Sequence, residues 1–79
     1  MTVLYFAHAR RITGVSQEEI PATAPLSASA FWDQLVQRHP DLNSLRTSSR
    51  LARENDFLLP SALIEPTDEI AVIPPVSGG

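Results

Sequence analysis

Ile70-Ala71-Val72-Ile73-Pro74-Pro75-Val76-Ser77-Gly78-Gly79 joins a short apolar run to two prolines and a pair of glycines. Ile70 to Ile73 is rich in β-branched residues and suits a buried strand. Pro74 and Pro75 hold φ at about −65° and lack an N–H, so the strand stops there and the chain leaves extended. Glycine has no Cβ, so Gly78 and Gly79 fit a channel too narrow for any side chain. The stretch therefore reads as a strand that aims a stiff stem, a thin tip and a backbone carboxylate. The bland reading is a frayed terminus of the kind most domains carry.

Upstream, the sequence alternates between strand and helix signals. Thr2 to His8 sets Val3, Tyr5 and Ala7 against Leu4, Phe6 and His8. Both sets are largely apolar, as in a central strand covered on both faces. Arg10 to Ser16 contains Gly14 and reads as a turn. Ser16 to Pro21 reads as a polar edge strand, since Pro21 offers no ladder donor. Ser27 to His39 is the clearest helix: Ala28, Phe31, Trp32, Leu35 and Val36 fall on one stripe, with Ser27 as N-cap and Pro40 as stop. Leu42 and Leu45 suggest a further helical turn running to about Ser49. Asn55-Asp56 suggests a hairpin turn within Arg50 to Leu59. Pro60 to Thr67 reads as a loop with Leu63 and Ile64 turned inward.

Two strands, a helix, short strands and a last apolar strand imply an α+β fold. We expect a mixed four- to five-stranded sheet packed on one main helix, with the first and last strands parallel in its middle. The domain is expected over residues 1–74, with 75–79 as an extended, flexible C-terminal tail.

Composition narrows the function. Seventy-nine residues make one small domain, able to bury about 60–65 % of its unfolded surface. A hydrophobic share of 43 % is too high for a disordered chain. The net charge of −3 argues against nucleic acid, which calls for a basic face. No apolar run is long enough for a membrane span, and the apolar start is too short for a signal peptide; a cytoplasmic location is the expectation. There is no cysteine, hence no thiol nucleophile, thiolate metal site or disulfide frame. All six basic residues are arginine, so the chain offers no lysine ε-amine as an isopeptide acceptor. His8 reads as a strand position, His39 as a cation at a helix end, and Glu18-Glu19 and Asp68-Glu69 as solvated surface. No His–carboxylate spacing stands out, and chemistry is expected from partners.

Three local patterns resemble one family. Phe6-Ala7-His8-Ala9-Arg10 followed by Gly14, Leu63 followed by Asp68-Glu69-Ile70-Ala71, and the ending Pro74-Pro75-Val76-Ser77-Gly78-Gly79 are similar to the MoaD-like small subunits of molybdopterin synthase, within the ubiquitin-like sulfur carriers. The resemblance spans essentially the whole chain. Two departures are Thr67, where the family has glycine, and Glu54, where it has an apolar residue.

The resemblance implies a ubiquitin-like β-grasp fold and a substrate-like role rather than catalysis by this chain alone. Gly79 would be the reacting residue: an E1-like adenylyltransferase spends ATP to adenylate its carboxylate, and sulfide from a separate sulfur donor displaces AMP to leave a thiocarboxylate. That sulfur would attack cyclic pyranopterin monophosphate inside the molybdopterin synthase large subunit, building the dithiolene of the molybdenum cofactor. A dithiolene holds two sulfurs, so two carriers serve each product and a heterotetramer is expected. No cofactor or metal is implied for the chain itself. Pro75, Val76, Ser77 and Gly78 would insert with the tail, and Phe6, Arg10, Leu59 and Ile73 would contact the partner. The alternatives are a sulfur carrier for thiamine or thionucleoside synthesis, and a ubiquitin-like protein modifier.

Overall fold

In the computed structural model, which describes residues 1–75, the chain starts directly in the centre of a sheet. Strand β1 (Thr2–Tyr5) pairs antiparallel with β2 (Gln17–Glu19) and parallel with β7 (Glu69–Ile73). Antiparallel β4 (Arg50–Arg53) and β5 (Asp56–Phe57) extend the sheet on the far side of β7, giving the order β2-β1-β7-β4-β5. A separate two-stranded ladder joins β3 (Leu26–Ser27) to β6 (Leu63–Ile64). The parallel central pair is the expected one, and the mixed five-stranded sheet grasping a helix is the ubiquitin-like β-grasp arrangement.

The long helix α2 (Ala28–Arg38) follows its predicted stripe. Ser27 Oγ accepts the Ala30 N–H at 3.1 Å, capping one orphan donor of the first turn. Ala28, Phe31, Trp32 and Leu35 pack against Val3, Tyr5, Leu51, Ile70 and Val72 of the sheet. Phe31 is fully buried, and its loss would cost about 3–5 kcal/mol, a large part of what holds a small domain together. Beyond His39, Pro40–Ser44 forms a 3-10 helix that buries Leu42.

The segment after β1 departs from the sequence reading. The strand ends at Tyr5, and Ala7–Thr13 forms a short helix, α1, in place of a continued strand and a turn. Ala7 turns the chain with φ of 47°, a left-handed conformation that residues other than glycine seldom adopt. Gly14, at φ of 79°, is the left-handed C-cap, donating its N–H to Arg10 O at 2.9 Å. Ala9 is the buried residue of α1, and His8 is exposed on it rather than held in a strand.

Smaller corrections follow from local geometry. The β4–β5 turn is Glu54-Asn55, one residue earlier than expected, with φ of 49° and 70°. Both residues adopt the left-handed φ that tight two-residue hairpins need. Leu63 is 58 % exposed, so only Ile64 turns inward. Thr67 has no positive φ. The turn before β7 closes instead through Asp68 N–H to Glu65 O and Glu65 N–H to Asp68 Oδ2, so no glycine is needed there.

Candidate functional site

Strand alternation sorts the sheet residues onto two faces. Val3, Tyr5, Ile70, Val72 and Leu51 point at α2 and are buried. Leu4, Ala71, Ile73 and Ala52 take the opposite face, and Phe57 joins them because it pairs with Ala52. Together with Phe6 they line an open groove of about 460 Å³, closed at one end by Glu54, Asn55 and Glu69. Phe6 is 48 % and Phe57 56 % exposed. Two large aromatic side chains on one uncovered sheet face mark an interaction surface. Arg50 places its guanidinium 4.5 Å from the centre of the Phe57 ring, a cation–π contact that holds the ring in place.

The stem leaves from the end of this groove. Tyr5 pairs with Val72, which sets Phe6 beside Ile73 where β7 finishes. Pro74 is buried and Pro75 exposed. The parallel pairing therefore aims the chain past Phe6 and off the sheet. Val76, Ser77, Gly78 and Gly79, the expected tip, lie outside the described residues.

The structure divides the four expected contact residues. Phe6 and Ile73 share the groove. Arg10 is exposed on α1, at the same end of the sheet as the stem. Leu59, 71 % exposed, lies elsewhere: with Trp32, Arg46, Leu58 and Pro60 it lines a second groove, of about 430 Å³, beside α2. It does not belong to the sheet-face patch, because the chain leaves the sheet after Phe57. Leu4, Ala52, Phe57 and Ala71 are groove residues that the sequence reading passed over. The available signal was apolarity on both faces of β1 and β7, which a sheet with a single covered face would not need.

The expectation that Glu18 is solvated surface is overturned. On β2 it stands opposite Val3, facing the helix side. Its Oε1 accepts the Tyr5 hydroxyl and lies 2.7 Å from His39 Nε2, while Arg38 Nη1 is 3.5 Å from Oε2. The His39 ring meets Tyr5 edge-on with centroids 5.8 Å apart. The fold thus builds a His–carboxylate pair from residues far apart in sequence. Burial opposes ionisation of Glu18, but the hydrogen bonds from Tyr5 and His39 and the Arg38 charge outweigh it and lower its pKa. Burial first, then the Glu18 contact, pushes the Tyr5 hydroxyl well above the usual tyrosine range. None of these four residues lines the sheet-face groove; they tie β1 and β2 to the end of α2.

Asp68 is also no idle surface acid. Its carboxylate accepts the Glu65 N–H and Arg53 Nη1, each at 2.8 Å, and these hold its pKa below the usual value. Among the described residues, no three His, Cys, Asp or Glu side chains converge as a metal site. No helix there is long and apolar enough to cross a membrane.

Comparison with known proteins agrees with this layout. A protein called molybdopterin synthase sulfur carrier subunit from Homo sapiens is 41 % identical, over 98 % of this chain and 91 % of that protein. Its namesake from Arabidopsis thaliana is 36 % identical, over 98 % and 80 %. Among solved structures, SAMP1 from Haloferax volcanii superposes with a TM-score of 0.85 at 25 % identity, covering 100 % of this chain and 98 % of its own. The putative molybdopterin converting factor, subunit 1, from Pyrococcus furiosus gives 0.82 at 22 %, covering 95 % of each chain. The fold is thus held in common with these structures along nearly its whole length. The ThiS family matches residues 3–79, from the first sheet strand through the stem and the glycine pair, and the chain belongs to that family.

Proposed function

We propose that this chain is the sulfur-carrier subunit of molybdopterin synthase, the non-catalytic donor half of a two-component enzyme. The observation that carries the reading is the placement of the stem. A central strand locked between β1 and β4 delivers Pro74-Pro75 beside an uncovered apolar groove, so docking the groove on a partner commits the tail to that partner's cleft. Relatives bearing that name align over nearly the whole chain.

In this reading the molybdopterin synthase large subunit covers Leu4, Phe6, Phe57 and Ile73 and admits Pro75 to Gly79. Gly79 leaves its E1-like adenylyltransferase as an acyl adenylate formed at the expense of ATP. Sulfide equivalents from a sulfur donor then replace AMP, and the resulting thiocarboxylate sulfur attacks cyclic pyranopterin monophosphate in the large subunit. Hydrolysis of the acyl–sulfur bond leaves the sulfur on the pterin and returns Gly79 as a carboxylate. The chain needs no cofactor of its own for this, and the steps belong in the cytoplasm. Two carriers flanking a large-subunit dimer would supply both dithiolene sulfurs.

The test is intact mass followed by turnover. Purified chain incubated with ATP, an activating enzyme and a sulfur donor should gain the mass difference between oxygen and sulfur. Added to a large subunit and the pyranopterin precursor, it should yield the dithiolene product. A thiocarboxylated chain that makes no dithiolene but supports thiazole formation would move the assignment to thiamine synthesis. Its appearance covalently bound to other proteins would make it a modifier.

A further inference from the structure

The six arginines divide by partner and by place. Arg38 pairs with Glu18, Arg46 with Asp33 and Arg53 with Asp68. Arg10, Arg11 and Arg50 have no carboxylate partner among the described residues, and all three lie at the end of the sheet where the stem departs. Arg50 pairs in register with Ile73, the last residue of β7, and its guanidinium lies over the Phe57 ring rather than on a carboxylate. Arg10 and Arg11 project from α1, which sits between the end of β1 and the Ser16 carbonyl that accepts the Tyr5 N–H. Both are exposed.

The opposite end of the sheet is acidic. Glu19 ends β2 beside Thr2, Glu54 forms the β4–β5 turn, Asp56 begins β5, Glu65 and Asp68 form the turn before β7, and Glu69 begins β7. Arg53 is the one arginine there, and Asp68 engages it. Among the described residues, the only side-chain carboxylate without a basic partner that lies outside this acidic end is Asp41, on the 3-10 helix. The two ends are separated by a strand length of about 13 Å, more than the screening length of about 8 Å at physiological salt. A partner therefore meets a basic end and an acidic end as distinct potentials, although the net charge is −3.

We infer that Arg10, Arg11 and Arg50 form a basic collar around the stem that engages a carboxylate-lined mouth on the partner cleft receiving the tail, and that the acidic far end turns the chain tail-first on approach. The occupant is a protein surface with acidic residues around its tail channel. Arg10 and Arg11 also suit the negative end of the α1 dipole, but that preference places no arginine at Arg50 and does not clear carboxylates from the stem. A steering role predicts effects on association rate more than on dissociation. The inference rests on the carrier reading proposed above.

The experiment is stopped-flow association of the full chain with a molybdopterin synthase large subunit. Salt is varied from about 0.01 M to about 1 M, which shortens the screening length from about 30 Å to about 3 Å. The unsubstituted chain should lose at least about tenfold in association rate across that range. The double variant Arg10→Glu with Arg11→Glu should start about tenfold slower at low salt, respond little to added salt, and dissociate within about twofold of the parent rate. Arg10→Gln with Arg11→Gln should fall between the two, and decides the matter if the charge reversal impairs folding. An association rate of the parent chain that ignores salt or rises with it overturns the collar and leaves the carrier reading standing. So do variants that keep the parent salt curve. No binding by the parent chain at any salt overturns both.

Discussion

Glu18 stands on a short edge strand yet holds three side chains. Tyr5 and His39 share its Oε1, and Arg38 approaches Oε2. Ionised, it satisfies the Tyr5 hydroxyl on the core side of the sheet and anchors the last turn of α2. Its pKa in the folded chain is depressed, so the stabilisation it gives is complete above its unfolded value of about 4.3 and is lost as pH falls through the folded one. Asp68 follows the same sign, through the Glu65 N–H and Arg53. Glu18→Gln keeps an acceptor but removes the charge, and should cost about 1–2 kcal/mol at neutral pH. The variant should also lose part of the parent's acid sensitivity below about pH 4.3. Urea unfolding followed by circular dichroism from neutral to acid pH reads both effects. Parallel stability curves for variant and parent would mean that Glu18 titrates alike in folded and unfolded chains.

Among the elements, the β4–β5 hairpin carries an evident local strain. Glu54 and Asn55 occupy left-handed φ, a conformation that costs a Cβ-bearing residue about 1–2 kcal/mol and glycine almost nothing. Glu54→Asn with Asn55→Gly would install the pair most favoured in such turns. A gain of about 1 kcal/mol is expected, or roughly 4–8 °C in Tm for a domain this size, read by thermal unfolding. An unchanged or lower Tm would show that the Glu54 side chain does something in the turn that its exposure hides. The same turn illustrates what sequence conveys about elements. Helix α2 and strands β1 and β7 were legible because their periodicity runs for several residues between clear stop signals. Helix α1 was not, since Phe6-Ala7-His8 continues the apolar pattern of β1 and the break depends on φ at Ala7, which no residue type there encodes. Gly14 signals a break in the chain, but its residue type alone does not distinguish a turn from the left-handed C-cap of a helix. The β3–β6 ladder, two residues on each side, is too short to leave a pattern. The Glu18 cluster joins residues 13 and 21 positions apart, so only tertiary packing reveals it. At the candidate site, Phe6 and Ile73 were readable from their nearness to the stem. Phe57 required knowing which face of β5 is bare.

At the scale of the molecule, the sheet separates folding from docking. Its α2 face supplies the core, where Phe31 is fully buried, while its other face leaves Phe6 and Phe57 about half exposed. Equivalent truncations on the two faces should therefore fail in opposite ways. Phe31→Ala removes a buried ring and should cost about 3–5 kcal/mol, enough to unfold much of a domain whose total is about 5–10 kcal/mol. Phe57→Ala gives up a ring that is largely in water and a cation–π contact worth about 0.5–1 kcal/mol at an exposed site, so Tm should move by only a few degrees, roughly 4–8 °C at most. On a partner the same ring becomes an aromatic anchor. Its loss, like that of Phe6→Ala, should weaken large-subunit binding by about 2 kcal/mol, near thirtyfold in Kd. Paired measurements of Tm and of Kd by titration calorimetry would resolve the two classes. If Phe57→Ala and Phe6→Ala bind the large subunit as tightly as the parent chain, the sheet face is not the docking surface. The stem would then have to reach its cleft from another side, beginning with the Leu59 groove beside α2.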